Sequence, residues 1–385
     1  IAGLGAAARL RLHLHGVAAL HGRDEHGLFG GVLDPGRLAL GEQGELLVAD
    51  GYGLYESFED LWFSEMNKEV IFVRRYEYPT KIDESHWSAA SRPLDVSQGA
   101  AGANQPVLEM VDAFPMKDGR PIGDPASAYT YDPDYFWKNR DPRFNGTIVY
   151  NGSVWELNGQ TGRIQWTFVG SESNSPTETG FYNRKAVDES FDANLAFNNA
   201  TDYIEIRFAE VLLNLAEAAN KVNQTDEAYE ALTAIRARAG IEPGADNLYG
   251  LDAGMGQAQM QDAIMLERKI ELAFEGKRHW DLRRNRMFEE ELNGTRRHGH
   301  SIELLISKDA FFDMINSMTT QEVIDLMNQN YTDYFVHHEV ERDIQSAINW
   351  KSEYYFYAIP QEHTQLNSNL KQTMGWTGGT FDPLQ

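Results

Sequence analysis

The side chains best spaced for chemistry lie between Glu267 and Arg284. Glu267, Glu271 and Glu275 recur at four-residue steps, which on a helix places three carboxylates on one face. Arg268, Lys269, Arg278, Arg283 and Arg284 are interleaved with them or follow them, and His279 and Asp281 stand close behind. One reading makes Glu271, His279 and Asp281 an acid/base cluster. The other makes the segment a network of bidentate arginine–carboxylate pairs that locks one helix against its neighbours. The second is the stronger, because adjacent His-Trp-Asp residues need not converge on one point. No other catalytic signature is visible: there is no G-x-S-x-G, no H-E-x-x-H and no glycine-rich phosphate loop. With 58 acidic side chains, paired carboxylates are too common to mark a glycosidase. His13 with His15, and His337 with His338 and Glu339, could be read as metal groupings, but each lacks a second ligand group, so no metal is expected. The absence of cysteine removes disulfide and thiolate chemistry, and no cofactor is expected.

The elements that would carry these groups are helical. Ala209, Leu212, Leu213, Ala216 and Ala219 recur at three- and four-residue steps on one face of a first helix. A polar Asn223-Gln224-Thr225 turn follows, with Asp226 as the expected N-cap of a second helix. Ala228, Leu232, Ile235 and Ala239 line that helix before Gly240 stops it. A helical pair of this length is the unit of a tetratricopeptide-like repeat, whose period is about 34 residues. Between about Glu77 and Ala200 the chain is rich in Gly, Asn, Ser, Pro and aromatics, which predicts loops and short strands. Within it, TIVYNGSVWEL, the Asn158-Gly159 dipeptide and RIQWTFVG read as a β-hairpin. Asp141-Pro142-Arg143 reads as a turn fixed by an Asp–Arg contact.

Composition narrows the function classes. The chain of 385 residues carries 34 basic and 58 acidic side chains, a formal charge of −24, which repels nucleic acid phosphates and anionic lipid headgroups. No apolar run approaches the roughly 20 residues of a helical membrane span. Residues 1–50 contain no lysine and are dominated by Gly, Ala, Leu, His and Arg, and they read as a divergent or frame-damaged segment.

Four ordered blocks carry a family resemblance: RFAEVLLNLAEA, AIRARAG, ERKIELAFEGKRHWDLRR and YYFYAIPQEHTQLNSNLKQTMGW. With GYGLYESFEDLWFSEMNKEVIFVRRYEYP, VDAFPMKDGRPIGD and DPRFNGTIVYNGSVW upstream, the chain from Gly51 onward resembles the SusD/RagB family of outer-membrane nutrient-binding lipoproteins. The resemblance implies a mainly α fold of tetratricopeptide-like hairpins (an α/α superhelix) supporting a loop-rich lobe with short β-hairpins. It implies one intertwined domain: 1–50 as a remnant of a truncated N-terminal helical region, 51–200 as the ligand-binding lobe, and 201–385 as the helical C-terminal region. It further implies non-catalytic capture of oligosaccharide or polysaccharide at the outer face of the outer membrane and delivery to a SusC-like TonB-dependent transporter. The family's lipid anchor requires a cysteine that this chain lacks. A glycan-cleaving enzyme and a tetratricopeptide-type peptide-binding adaptor are the alternatives.

A neutral-sugar site needs flat apolar rings for the C–H faces of pyranoses and polar groups for their hydroxyls. In the loop-rich lobe the candidates are Trp87, Tyr129, Tyr131, Trp137, Trp155, Trp166 and Tyr182, with Asn183 and Arg184 as polar companions. Trp87 is the strongest, because the polar stretch Glu84-Ser85-His86-Trp87-Ser88 has no period that would claim it for a core. Trp155 and Trp166 could instead pack on each other across the hairpin, and Trp137 follows Tyr135-Phe136 as a core-facing cluster would. Trp280 and Trp376 belong to the helical motifs and are expected to be structural.

Overall fold

Alanine-rich faces at helical spacing generate the central helices. The computed structural model describes Val48 and residues 50–82, 87–97, 99–174, 176–190 and 198–383, and every structural statement below concerns those. The helices are α1 (Trp87–Ser91), α2 (Leu108–Val111), α3 (Arg143–Thr147), α4 (Phe208–Lys221), α5 (Thr225–Ala239), α6 (Gln257–Glu271), α7 (Arg278–Arg284), α8 (Phe288–Leu292), α9 (Lys308–Ile315), α10 (Thr320–Tyr334) and α11 (Gln361–Leu366). The strands form separate antiparallel pairs: β1 (Val70–Arg74) with β6 (Tyr203–Arg207), β2 (Ile148–Val149) with β5 (Tyr182–Asn183), β3 (Ser153–Val154) with β4 (Ile164–Gln165), and β7 (His298–Leu304) with β8 (Phe335–Glu341). The architecture is mainly helical with short β-hairpins, as the sequence predicts.

Helices α4 and α5 are the expected hairpin. Leu213, Ala216 and Ala219 of α4 pack on Ala228, Ala231, Leu232 and Ile235 of α5 and on Met260 and Ile264 of α6. The small residues let the helices approach closely, and each large side chain buried there contributes about 1.5–3 kcal/mol. Gly240 ends α5 in the left-handed region at φ +83°, and its amide and that of Ile241 return to the carbonyls of Ala237 and Arg236. The predicted N-cap is corrected: Gln224 holds that position and α5 starts at Thr225, two residues earlier than expected, so Asp226 lies in the first turn, where its charge still favours the helix N-terminus. A second core is aromatic, built from Phe114, Phe136, Trp137, Phe144, Phe168, Phe181, Phe311, Tyr331 and Phe335.

The predicted β-hairpin forms in reduced shape. Asn158 and Gly159 both take positive φ, 65° and 63°, as a strong turn dipeptide should. They sit inside a longer connection, however, because the nearest strand pair across it is Val154 with Ile164. Ile148 and Val149 pair instead with Asn183 and Tyr182. The hairpin is therefore only two residues deep, and the preceding strand belongs to a different partner.

The predicted carboxylate face forms the centre of a buried ion network, but not with the cations next to it in sequence. Glu271 accepts from Arg143 Nη1 (2.8 Å), from Arg207 Nη1 (2.6 Å) and from Arg238. Glu267 accepts from Arg143 Nη1 (2.6 Å) and Arg236 Nε (2.8 Å). Glu275 is bidentate to Arg207, at 2.7 and 2.8 Å, and also takes Lys185 Nζ at 2.6 Å. Glu69 bridges Arg207 and Arg238, at 2.7 and 2.8 Å, and Asp141 holds Arg143 at 2.7 Å. The charges balance, with carboxylates of Glu69, Asp141, Glu267, Glu271 and Glu275 against the cations of Arg143, Lys185, Arg207, Arg236 and Arg238. Arg268 and Lys269 turn elsewhere, to Asn214 Oδ1 and the Glu109 carbonyl. α6 itself ends at Glu271, and Phe274 adopts φ +62° beyond it, so Glu275 reaches Arg207 from a turn and not from the helix face. The Asp141–Arg143 turn is present as expected.

By backbone contacts the chain divides into two compact units. One holds His279–Arg296 and the residues from Gln345 onward. Its core is Leu282, Phe288 and Tyr355, with Trp350 stacked on Phe288 at 3.9 Å. Trp376 donates its indole N–H to the Phe356 carbonyl (2.8 Å), a structural role as expected. Trp280 differs from expectation: it is 58% exposed on α7. The other unit holds everything else described, including the ion network. Among the described residues no helix is long and apolar enough to cross a membrane.

Burial alone would raise the carboxyls of Glu267, Glu271 and Glu275, but the surrounding cations outweigh it and hold all three below the ordinary carboxylate range. Their folded-state values are depressed, so the stability they contribute is present above the unfolded value of about 4.5 and is lost as pH falls below it. Thermal unfolding between pH 7 and pH 3 should therefore show a steep drop in midpoint beginning near pH 4.5. Glu271→Ala, which orphans guanidinium groups of three arginines, should cost about 3–5 kcal/mol at pH 7, read by denaturant unfolding.

Candidate functional site

The network also shapes a cavity in this unit. Lys185 is 2% exposed. Its ammonium is fixed by Glu275 and by the Glu271 carbonyl (2.8 Å), and it lies 4.8 Å and 5.0 Å from the ring centres of Phe58 and Trp62. Burial lowers its pKa to about 8 against the opposing pull of Glu275. From this floor the walls rise: Trp62, Trp87 at the start of α1, Ala186, Phe274, and the run Asn199, Thr201, Asp202, Tyr203 and Ile204 that leads into β6. The walls enclose a narrow space that opens to solvent.

Each wall is held from behind. The Trp87 indole N–H donates to the Lys185 carbonyl at 3.1 Å, and the Asn183 side-chain amide donates to the same carbonyl at 3.1 Å. Asp202 accepts from the Tyr76 amide (2.8 Å) and from Arg75 Nε (2.6 Å). Asn199 is 2% exposed and accepts from the Thr201 amide through Oδ1 at 2.6 Å. Its Nδ2 finds no hydrogen-bond partner among the described residues. Two residues of the lining, Ala186 and Phe274, have left-handed backbone, φ 59° and 62°. For a bulky residue such as Phe274 that is a costly conformation, of a kind that collects at ligand sites.

Of the sequence candidates, Trp87 lines this cavity, half-buried and on a helix; the segment just before it, residues 83–86, lies outside the described residues. Asn183 serves the cavity from behind, fully buried, so its expected role as a direct polar companion is corrected to that of a support. Trp155 and Tyr182 are likewise 0% exposed and pack on each other at 5.9 Å, which leaves no ring face for a ligand from solvent. The Tyr182 hydroxyl donates to Glu172 (2.8 Å), and burial pushes its pKa far up. Trp166 is wedged between Phe311 (5.0 Å) and Phe335 (5.9 Å) and not against Trp155. Trp137 is core, as its neighbours predict, with its indole N–H on Asn328 Oδ1. Tyr131 is half-buried with its hydroxyl pushed up to about 12 by burial, and Tyr129 is tied to Glu242 Oε1 at 2.6 Å. Arg184 pairs with Glu189 at 2.6 Å. These last three border other parts of the surface and are not brought to the cavity. Sequence reasoning missed Trp62, Lys185, Asn199 and Thr201, which carry no spacing signal and meet only through the β1–β6 pairing and the turn after α6.

The histidines give no site either. His337 stacks on His300 at 4.4 Å inside the aromatic core, where burial lowers His300 to about 3. Among the described residues no three of His, Asp and Glu converge as a metal would need, and His13 and His15 lie outside them. The acid/base reading of Glu271 is overturned by its three guanidinium partners. His279 and Asp281 make their contacts with Phe288 and Arg284.

Comparison with known proteins agrees with the fold. The model of the SusD family matches residues 62–376. SusD-like protein P2 from Formosa agariphila is 41% identical over 97 residues, which are 24% of this chain and 19% of that protein. A SusD-like protein from Bacteroides fragilis superposes with a TM-score of 0.64 at 21% identity, over 87% of this chain and 61% of that one. A SusD-like carbohydrate-binding protein from the same organism gives a TM-score of 0.61 at 25% identity, over 86% and 60%. This chain thus spans about three fifths of those two structures.

The burial pattern separates core from site. Trp155→Ala should destabilise by about 3–5 kcal/mol, whereas Tyr129→Phe, which loses a single part-buried hydrogen bond near the surface, should change the melting midpoint by no more than a few degrees. Thermal unfolding of both variants checks the assignment.

Proposed function

The chain belongs to the SusD family, and from that premise we propose that it captures oligosaccharide or polysaccharide without cleaving it. It would do so at the external face of the outer membrane and pass the glycan to a TonB-dependent transporter. The observation that carries the reading is the family match over residues 62–376, supported by the fold shared with the carbohydrate-binding relative. The cavity beside Lys185 supplies the chemistry: Trp62 and Trp87 offer apolar ring surface for the C–H side of a pyranose, and Thr201 and Tyr203 offer groups for hydroxyls. The carboxylates singled out by the sequence are consumed in ion pairs and held ionised, so none of them can donate a proton as a glycosidase acid must. The chain's charge of −24 favours a neutral glycan over a polyanionic one. Weak affinity suffices for capture, since a millimolar site is worth about 4 kcal/mol and many copies on one surface add avidity.

Affinity electrophoresis against soluble polysaccharides, with product analysis of the same samples, tests the proposal. Retardation by a glycan without new reducing ends is the expected result, and release of reducing ends would replace capture with cleavage. In the same gels Trp87→Ala should reduce retention by about tenfold, the loss of one stacking wall of about 1.5 kcal/mol. Retention equal to that of the parent would remove Trp87 from the site.

A further inference from the structure

The β7–β8 hairpin is seated on the aromatic core by two histidines. His300 of β7 lies opposite Glu339 of β8, so His337, two residues before Glu339, is its diagonal neighbour on the same face. The two imidazoles stack at 4.4 Å between ring centres, 15° from parallel. Phe136 meets both rings at a steep angle, at 5.3 and 5.9 Å, and Phe181 lies 5.3 Å from His300. His300 is 8% exposed, and its Nδ1 has no hydrogen-bond partner among the described residues. The same residue holds a third piece of chain. Its amide donates to the Thr179 carbonyl at 2.8 Å, and Gly180 and Gly299 let the two backbones touch, since a Cβ at either would stand 2.6 Å from the opposite chain. Residues 179–181 run from this contact into β5, and from there to Lys185.

A proton on either ring would place a cation among aromatic side chains, out of water and beside a second imidazole. We propose that the stacked pair is an acid-sensitive latch: neutral, it holds the β7–β8 hairpin and residues 179–183 on the aromatic core; protonated, it releases them. Burial lowers His300 to about 3, and it lowers His337 as well, against the pull of Asp134 and the Pro133 backbone and with the push of His338. Both folded values lie below the unfolded 6.5, so this docking is at full strength above pH 6.5 and is lost as pH falls below it. Two groups at the other end of β7 work in the opposite sense. His298 is raised by its hydrogen bond with Glu109 of α2 (2.7 Å), with Glu339 at 3.7 Å and Glu341 opposite it in the register, and Asp112 at the end of α2 is raised by burial. Both gain on acidification, but the His298 pair is exposed and screened by solvent. The carboxylates of the ion network begin to act only near pH 4.5.

Hydrogen exchange of the parent chain at pH 7.5 and 5.5, corrected for the intrinsic pH dependence of amide chemistry, tests the latch. One histidine with these folded and unfolded values multiplies the opening constant by about tenfold over that interval. The expected result is therefore opening of β7, β8 and residues 179–183 increased by about tenfold at pH 5.5, with α4, α5 and α6 unchanged. His300→Phe keeps a ring in the stack and removes the titration, so the increase should shrink there and vanish in the double variant with His337→Phe. His298→Gln, which removes the opposing pair with Glu109, should enlarge it. Melting curves at pH 7.5 report whether each variant folds, and His337→Phe alone serves where His300→Phe does not. No increase in the parent at pH 5.5, an increase that persists without the two imidazoles, or one spread evenly over α4, α5 and α6 would overturn the latch.

Discussion

Glu271 is the point on which the larger unit depends. It ends α6, and through Arg143, Arg207 and Arg238 it ties that helix to α3, β6 and α5 at once. Charges removed from water this completely cost several kcal/mol each, and only a closed set of partners repays that. The set balances here because five carboxylates meet five cations, with Glu69 and Glu275 taking further donors of Arg207 and Glu69 one of Arg238, whose Nε alone finds no partner among the described residues. Such a network specifies geometry more than it adds stability. A shift of α5 against α6 would leave a buried guanidinium unmatched, so the helices are held in one register.

The cavity inherits that rigidity. Lys185 lies in both structures: it is the network's lysine and the cavity's floor, and its backbone carbonyl receives the side chains of Trp87 and Asn183. Residues from β5, from the approach to β6 and from the turn after α6 are thus placed relative to one another by ion pairs and not by a continuous sheet. A loop-rich lobe can present a defined ligand surface when its loops are anchored in this way.

How much of this was legible beforehand follows from the range of the interactions. The α4–α5 hairpin was readable because its signal is local, a period of apolar residues closed by Gly240. The carboxylate face was readable as charge but not as a network, because Arg143, Arg207 and Arg236 reach it from 124, 64 and 31 positions away, and neighbouring Arg268 and Lys269 proved to be decoys. The aromatic candidates show the same limit. A tryptophan in a polar stretch and one in a strand look alike in composition, yet Trp87 lines a cavity and Trp155 is sealed against Tyr182.

These observations converge on a protein whose buried charges hold its shape and leave an aromatic-walled cavity beside Lys185. The most direct measurement is hydrogen exchange with and without a polysaccharide that the chain retains. Slowed exchange confined to α1, Lys185–Ala186 and the Asn199–Ile204 approach to β6 is the result expected of capture at this cavity. Protection elsewhere, with these segments unchanged, would contradict it.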